Sequence, residues 1–230
     1  NIVINSSNII HLQFIKHQII QKPTRTISGV TTVTVLTKPF ACPGHCIFCP
    51  NDIRMPKSYI ATEPGAQRAL KNRFSPFLQV YNRLKALKNI GHPTEKIELI
   101  ILGGTWTYYQ ERYKRWFIKE CFKAMNDFGD KRPLLDKRAE LKQDAVYQSI
   151  VAKPIKHASE DINYVIRKRI GDKPYNQLIV SKEYKESFGE NIETEKETSW
   201  EELEHEQNVN SHSICRCVGL VLETRPDAIT

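Results

Sequence analysis

Val30-Thr-Thr-Val-Thr-Val-Leu36 runs directly into Thr37-Lys38-Pro39 and then into the loop Cys42-Pro-Gly-His-Cys46-Ile-Phe-Cys49. Four of the seven residues in the first run are Thr or Val after the opening Val-Thr, and β-branched side chains favour extended backbone. The run therefore reads as a buried strand stopped by proline. The cysteine loop is the connection that leaves it.

Outward from that strand, Pro64 opens a helix expected to reach about Arg73. Ser75-Pro76 supplies an N-cap and a first helical residue for a second helix toward Asn89, with Gly91 as its stop. On that second helix Phe77, Val80, Tyr81, Leu84 and Leu87 share one face, which should pack on a sheet. Ile97 to Leu102 is apolar except at Glu98, the pattern of a parallel strand covered on both faces, and it ends in Gly103-Gly104-Thr105. A helix is expected from Tyr109 to about Asp127, with Tyr113, Trp116, Phe117, Phe122 and Met125 toward the core. Cys217-Val-Gly-Leu-Val-Leu-Glu223 reads as a third short buried strand, followed by Thr224-Arg225-Pro226-Asp227. Strands alternating with helices give an α/β fold class, about half of a (β/α) barrel.

The 230 residues suit one sizeable domain, and 40 % apolar with 26 % charged residues suits a soluble globular chain. The chain starts at Asn1 and stops just after a strand, so the expectation is a piece of something longer. No apolar run approaches the roughly 20 residues of a membrane-spanning helix, and no signal-peptide layout opens the chain; a cytoplasmic protein without membrane contact is expected. Between Phe128 and about Asn210 the composition turns polar, with nine Glu against two Lys over residues 185 to 206. The expected organisation is an N-terminal segment 1–21, a core 22–127, a polar insertion 128–210 that is partly helical and partly disordered, and a resumed core 211–230. Charge is uneven too. Residues 1–127 hold 18 Lys and Arg against 7 Asp and Glu, whereas residues 128–230 hold 16 against 19. A basic first half fits a polyanionic partner such as RNA, although ordinary surfaces show the same balance.

Three of the six cysteines crowd into the eight residues from Cys42 to Cys49. In a reducing compartment such clustering favours metal or cluster binding over disulfides. Three thiolates on a cubane leave one iron open to an external ligand, the arrangement used to cleave S-adenosylmethionine reductively. Pro43 and Gly44 allow a tight path between the first two ligands, and Phe48 is a candidate shield against water. The rival is structural zinc, completed by His45, Cys215 or Cys217, though zinc sites usually display two spaced pairs. Cys121 lies on an apolar helical stripe and reads as core, and Cys215 with Cys217 reads as packing.

Gly103-Gly104 would permit close approach of a ligand to backbone, or be a plain tight turn. Glu223 and Arg225 would hold the ribose and carboxylate of a nucleoside, or pair with each other. Lys22, Arg25 and Lys38 flank the first strand and suit an anionic channel. Lys71, Arg73, Arg83, Lys85 and Lys88 fall on polar helix faces and read as solvated surface.

These stretches also resemble a known family. Lys22–Val30, Lys38–Pro50, Pro56-Lys-Ser-Tyr59 with Glu63-Pro64, Arg73–Pro76 with Gln79-Val80, Gly91-His92 with Lys96–Thr105, and Arg216–Asp227 are similar to blocks of the elongator protein 3 family. That family comprises the tRNA uridine acetyltransferase subunit of Elongator and its stand-alone bacterial and archaeal relatives. The resemblance implies a partial (β/α) barrel of the radical SAM type, truncated after about three strands, working beside an acetyltransferase domain that is absent here. It implies a tRNA-modifying transferase that uses acetyl-CoA and S-adenosylmethionine to form 5-carboxymethyluridine at wobble uridine 34. Carried over by position, Cys42, Cys46 and Cys49 become ligands of a [4Fe-4S] cluster. Gly103, Gly104, Thr105, Glu223 and Arg225 fall on the adenosylmethionine side, and Lys96 matches a lysine associated with acetyl-CoA. tRNA, acetyl-CoA and a homodimer or Elongator-like assembly are the implied partners. Other readings of the same loop are a different radical SAM enzyme, such as a methylthiotransferase, and a zinc-stabilised RNA-binding module. The 128–210 stretch is longer than the corresponding connection in that family.

Overall fold

The structure is a computed structural model, and it describes residues 15, 20–44, 46–131, 173–188 and 195–229. Three strands, β1 (Thr31–Leu36), β2 (Lys96–Leu102) and β3 (Arg216–Leu222), form a parallel sheet in the order β1-β2-β3. The protein is thus α/β. Thr31 faces Ile97 and Leu36 faces Leu102 across the first pair. Across the second pair Lys96 faces Arg216 and Ile101 faces Leu222, with a one-residue irregularity that skips Val218.

Helices α1 (Pro64–Lys71) and α2 (Pro76–Asn89) cross from β1 to β2. Ser75 caps α2 by accepting from Leu78 N, Pro76 supplies its first residue, and Gly91 leaves it at φ 90°. Helix α3 (Glu111–Gly129) begins the return to β3, two residues later than the expected start at Tyr109, because a 3₁₀ turn at Trp106–Tyr108 precedes it and Gln110 is its N-cap. Helices α2 and α3 lie side by side on one face of the sheet. Their core unites Val33, Val35, Ile97, Leu99 and Ile101 with Leu84, Leu87, Trp116, Phe117 and Met125. Cys121 is fully buried there and Cys215 nearly so, and burial pushes the Cys215 thiol up to about 12. Both behave as the small apolar residues the sequence suggested.

Two strand expectations need correction. In β2, Ile97, Leu99 and Ile101 are buried, while Glu98, Ile100 and Leu102 are only half-buried, so the strand is fully covered on one face alone. Glu98 meets Thr32 Oγ1 at 3.0 Å on the second face. β3 is not a buried strand either: Val218, Leu220, Val221 and Leu222 are 38–50 % exposed. Among the described residues β3 pairs on its β2 side only, so it is an edge, and an apolar run reads the same at an edge as at the centre.

The polar stretch is built into the structure where it is described. Helix α4 (Tyr175–Ile179) and helix α5 (Lys182–Phe188) form a small core with Ile53 through Tyr175, Leu178, Ile179 and Tyr184. Helix α6 (Trp200–Ser211) opens with a full capping box between Ser199 and Glu202. It packs on α3, and Asn210 holds Asn126 at 2.8 Å and the Cys215 carbonyl at 3.0 Å. The expectation of partial disorder over residues 132–172 and 189–194, like most of the segment 1–21, lies outside the described residues.

Gln79 on α2 ties that helix to β1 by donating to Leu36 O and accepting from Leu36 N, both at 2.9 Å. Both bonds are buried, and a leucine in its place would orphan the two backbone groups. Gln79→Leu should lower the unfolding free energy by about 2–4 kcal/mol in urea denaturation, despite preserving side-chain size.

Candidate functional site at the carboxyl ends of the strands

Parallel strands of matched register deliver their exits to one edge of the sheet, the edge where α/β proteins assemble sites. Thr37 continues β1 by donating its N–H to Leu102 O at 2.9 Å, and Glu223 continues β3 by donating to Ile101 O at 3.0 Å. The Thr37 hydroxyl meets Tyr109 Oη at 2.8 Å, and that phenol donates to Lys38 O at 2.9 Å. Phe40 stacks on Tyr109 with centroids 4.9 Å apart. The entry to the cysteine loop is therefore fixed.

Each cysteine then takes a different neighbour. Cys42 is buried, with Sγ 3.3 Å from Thr105 Oγ1, and its backbone is clamped by Asn176 of α4, which accepts from Cys42 N at 3.1 Å and donates to Cys42 O at 2.7 Å. Cys46 is exposed and accepts from Arg225 Nη1 at 2.9 Å. Cys49 is half-buried and lies 3.5 Å from Ser58 Oγ, where Ser58 has φ 80°. Ile47 and Phe48 are 87 % and 93 % exposed, so Phe48 faces solvent and shields nothing here. His45 lies outside the described residues.

Glu223 is the hub of this edge. Its Oε2 accepts from Tyr59 Oη at 2.5 Å and from the Gly103 N–H at 3.1 Å. Burial, then the hydrogen bond to Glu223, raises the Tyr59 phenol above its ordinary range, so it stays a donor. Gly103 has φ 146°, and a β-carbon there would sit 1.8 Å from Thr37 Oγ1. Gly104 has room by comparison, its nearest atom being Lys57 Cβ at 3.8 Å. Arg225 forks onto Asp227 at 2.9 and 2.6 Å, which raises the arginine and lowers the aspartate. The mutual Glu223–Arg225 pair considered from the sequence is not formed. Each finds a different partner.

Cys42, Cys46, Cys49, Gly103, Gly104, Thr105, Glu223 and Arg225 thus share one edge. Lys96 does not join them. It opens β2, six residues before Leu102, or about 20 Å away along the strand. Cys215 and Cys217 also lie at that far edge, since Cys217 pairs with Ile97, so they cannot complete a zinc site with the loop. Sequence reasoning gave no role to Asn176, Ser58, Tyr59 or Thr37. Only Tyr59 and Ser58 carried a signal, as part of the Pro56–Tyr59 block.

Three thiols in a short loop are a donor set suited in its chemistry to an iron–sulfur cluster. Among the described residues, however, no three His, Cys, Asp or Glu side chains converge as a metal-binding group. The donors are present and not preassembled.

The chain is similar to several named proteins. Over 157 residues it is 39 % identical to the tRNA uridine(34) acetyltransferase of Methanocaldococcus infernus, covering 64 % of this chain and 29 % of that protein. The tRNA uridine(34) acetyltransferase of Methanocaldococcus jannaschii is 49 % identical over 112 residues, 46 % of this chain and 21 % of its own length. These matches agree with the resemblance to the elongator protein 3 family. Elongator complex protein 3 of Mus musculus is 38 % identical over 116 residues, again 46 % of this chain and 21 % of that protein. The chain therefore spans less than a third of the elongator protein 3 relatives it matches. No protein-family model matches it. A solved structure, the archaeal Methanocaldococcus infernus Elp3 with N-terminus deletion (1-46), aligns over 89 % of this chain and 25 % of its own, with TM-score 0.43 and 25 % identity.

Thiol exposure at this edge is directly measurable. Brief alkylation at pH 8 followed by peptide mass mapping should label Cys46 first and leave Cys121 and Cys215 unlabelled. Those two are buried, and burial holds both thiols protonated and therefore unreactive at that pH. A second expectation concerns Gly103. Gly103→Ala should cost more than about 2 kcal/mol by combined clash and backbone strain, and Thr37→Ala should recover the clash alone in a double-mutant cycle read by urea denaturation.

Proposed function

We propose that this chain is part of a tRNA-modifying transferase of the elongator protein 3 type, acting on wobble uridine 34. The proposed reaction uses S-adenosylmethionine and acetyl-CoA and forms 5-carboxymethyluridine. The observation that carries the reading is the gathering of the cysteine loop, Gly103–Thr105, Glu223 and Arg225 at one strand-end edge, in a chain that over stretches of 157 and 112 residues is 39 % and 49 % identical to proteins named tRNA uridine(34) acetyltransferase.

In this reading Cys42, Cys46 and Cys49 hold a [4Fe-4S] cluster at the mouth of a radical SAM barrel, of which β1, β2 and β3 are the first strands. When bound, such a cluster supplies the electron that cleaves S-adenosylmethionine. The chain's own residues position the partners. Thr105 and the Asn176 clamp fix Cys42, the most buried of the three. Glu223, held by Tyr59 and Gly103, offers its remaining acceptor capacity to a nucleoside ribose. Arg225 offers a guanidinium to a carboxylate once Cys46 has left it. Lys96, at the opposite edge, would meet acetyl-CoA away from this site, beside an acetyltransferase domain outside the chain. No helix among the described residues is long and apolar enough to cross a membrane. A cytoplasmic location, within a homodimer or an Elongator-like assembly, accords with a tRNA substrate.

Anaerobic reconstitution of the chain with iron and sulfide should give about four irons per chain and a reducible spectrum. Cys46→Ala and Cys49→Ala should each abolish it, while Cys121→Ala leaves it intact. One bound zinc and no iron after anaerobic purification would sink the cluster and favour a zinc-stabilised RNA-binding module.

A further inference from the structure

Lys38 follows β1 and precedes the cysteine loop, and aromatic residues set its place. Its N–H donates to Tyr113 Oη at 3.0 Å, its carbonyl accepts from Tyr109 Oη at 2.9 Å, and Nζ lies 4.7 Å from the centroid of the Tyr113 ring. Arg112, on the first turn of α3, brings a second cation to the same point. Glu195 Oε2 accepts from Lys38 Nζ at 2.6 Å, and Glu195 Oε1 accepts from Arg112 Nη2 at 3.0 Å. One carboxylate thus bridges an ammonium and a guanidinium.

The bridging carboxylate arrives from 157 residues further along the chain, in the Glu-rich stretch that the composition marked as an insertion. Burial alone would raise the Glu195 carboxyl, and the hydrogen bond and charge of Lys38, with the Arg112 hydrogen bond, outweigh it and hold the group below its ordinary range. Residues 195–199 have no regular secondary structure and run along α3. There Arg115 Nε donates to the carbonyl of buried Thr198 at 3.1 Å, and the Arg115 guanidinium lies 5.4 Å from the centroid of the Trp200 ring. Ser199 then caps α6, which packs on α3. The strap is anchored at Thr198, whereas Lys196 and Glu197, between that anchor and Glu195, are exposed. Lys38 and Arg112 belong to elements whose positions do not depend on the strap.

We propose that Lys38 and Arg112 form a phosphate site for the RNA backbone, and that Glu195 occupies it in cis until RNA displaces the carboxylate. The proposal rests on the tRNA reading above and deepens it by naming where the backbone is held. An ammonium and a guanidinium that already converge on two oxygens of one anion suit a phosphate as they suit a carboxylate. Such contacts position a nucleic acid without reading its sequence. Lys38 lies at the root of the cysteine loop, so a phosphate held there sets the RNA beside the strand-end edge. Because Glu195 is tethered, it competes at a high effective concentration, and RNA binding is a displacement rather than a simple addition.

The test is equilibrium binding of an unmodified tRNA transcript to the full chain across a salt series. Glu195→Gln keeps the side-chain size and removes the competing charge, so it should tighten binding at low salt by a few-fold, up to about tenfold. Arg112→Gln, at a half-exposed side chain, should weaken binding and reduce the slope of log affinity against log salt by about one. In the Arg112→Gln background the gain from Glu195→Gln should shrink, and strict additivity of the two changes overturns the shared site. Glu197→Gln makes the same charge change at an exposed neighbour and should alter affinity by less than about twofold. A gain there equal to that of Glu195→Gln assigns the effect to overall charge and overturns the site. Transcript binding that Glu195→Gln leaves unchanged overturns the site and leaves the tRNA reading standing. Coenzyme A, titrated in parallel, carries the other available phosphates, and a gain in its binding without a gain for the transcript overturns the assignment to RNA. Failure of the wild type and of every variant to bind transcript at low salt overturns the site and the RNA part of the proposed function together. Cluster assembly should be the same in every variant, which separates these results from failure of the cysteine site.

Discussion

Glu223 sits where three chain segments must meet and satisfies groups from two of them with one carboxylate oxygen. Its backbone N–H closes the last bond of the β2–β3 pair, and Oε2 then takes the Gly103 N–H, which leaves β2, and the Tyr59 hydroxyl, which follows the cysteine loop. Strand ends in a parallel sheet leave backbone groups without ladder partners, and a buried unpaired donor costs about 1–3 kcal/mol. One carboxylate resolves that problem for β2 and anchors the segment returning from β1. The geometry of the whole edge depends on it.

The conformation of Gly103 follows from this arrangement. Its N–H must turn toward Glu223 while its α-carbon passes against Thr37, and no side chain fits between. Thr37 is in turn held by Tyr109, which also holds Lys38 O, while Thr37 N donates to Leu102 O of β2 and Lys38 N donates to Tyr113 Oη of α3, so β1, β2 and α3 are tied together at the loop entry before any cysteine is reached. Beyond Cys42 the constraints thin out. Cys46, Ile47 and Phe48 are exposed, and their tie to the body is Arg225. The loop is thus hydrogen-bonded at its root and exposed at its tip.

Much of this was legible in the sequence because it depends on local rules. β-branched runs marked β1, the Ser75-Pro76 pair marked the start of α2, and Gly91 marked its end. What local rules do not encode is which neighbour a strand acquires. Val-Gly-Leu-Val-Leu in β3 looks like a covered strand, yet coverage depends on a further strand, and periodicity carries no information about that. The contacts that build the site are also distant in sequence. Asn176 reaches Cys42 across 134 residues, and Tyr59 reaches Glu223 across 164. Asn176 sits in a stretch whose composition suggested a surface insertion, and the clue to its docking was the short apolar pattern of Tyr175, Leu178 and Ile179. The position of Lys96 was open to deduction: a residue that starts a parallel strand lies at the edge opposite the site.

Arg225 explains how a loop can be both ordered and ready to change. Gly44 lets the guanidinium lie across the loop, since a β-carbon there would come within 2.0 Å of Nη1. The same guanidinium is already forked onto Asp227 through Nε and Nη2, leaving Nη1 for Cys46. Its charge therefore stays compensated whether or not Cys46 remains in place. A ligand drawing Cys46 toward Cys42 and Cys49 would break one exposed contact and leave no buried group unpaired. Pulling Cys42 outward would instead break two backbone bonds to Asn176 and a buried contact with Thr105. Cys42 is therefore the most firmly held of the three thiols.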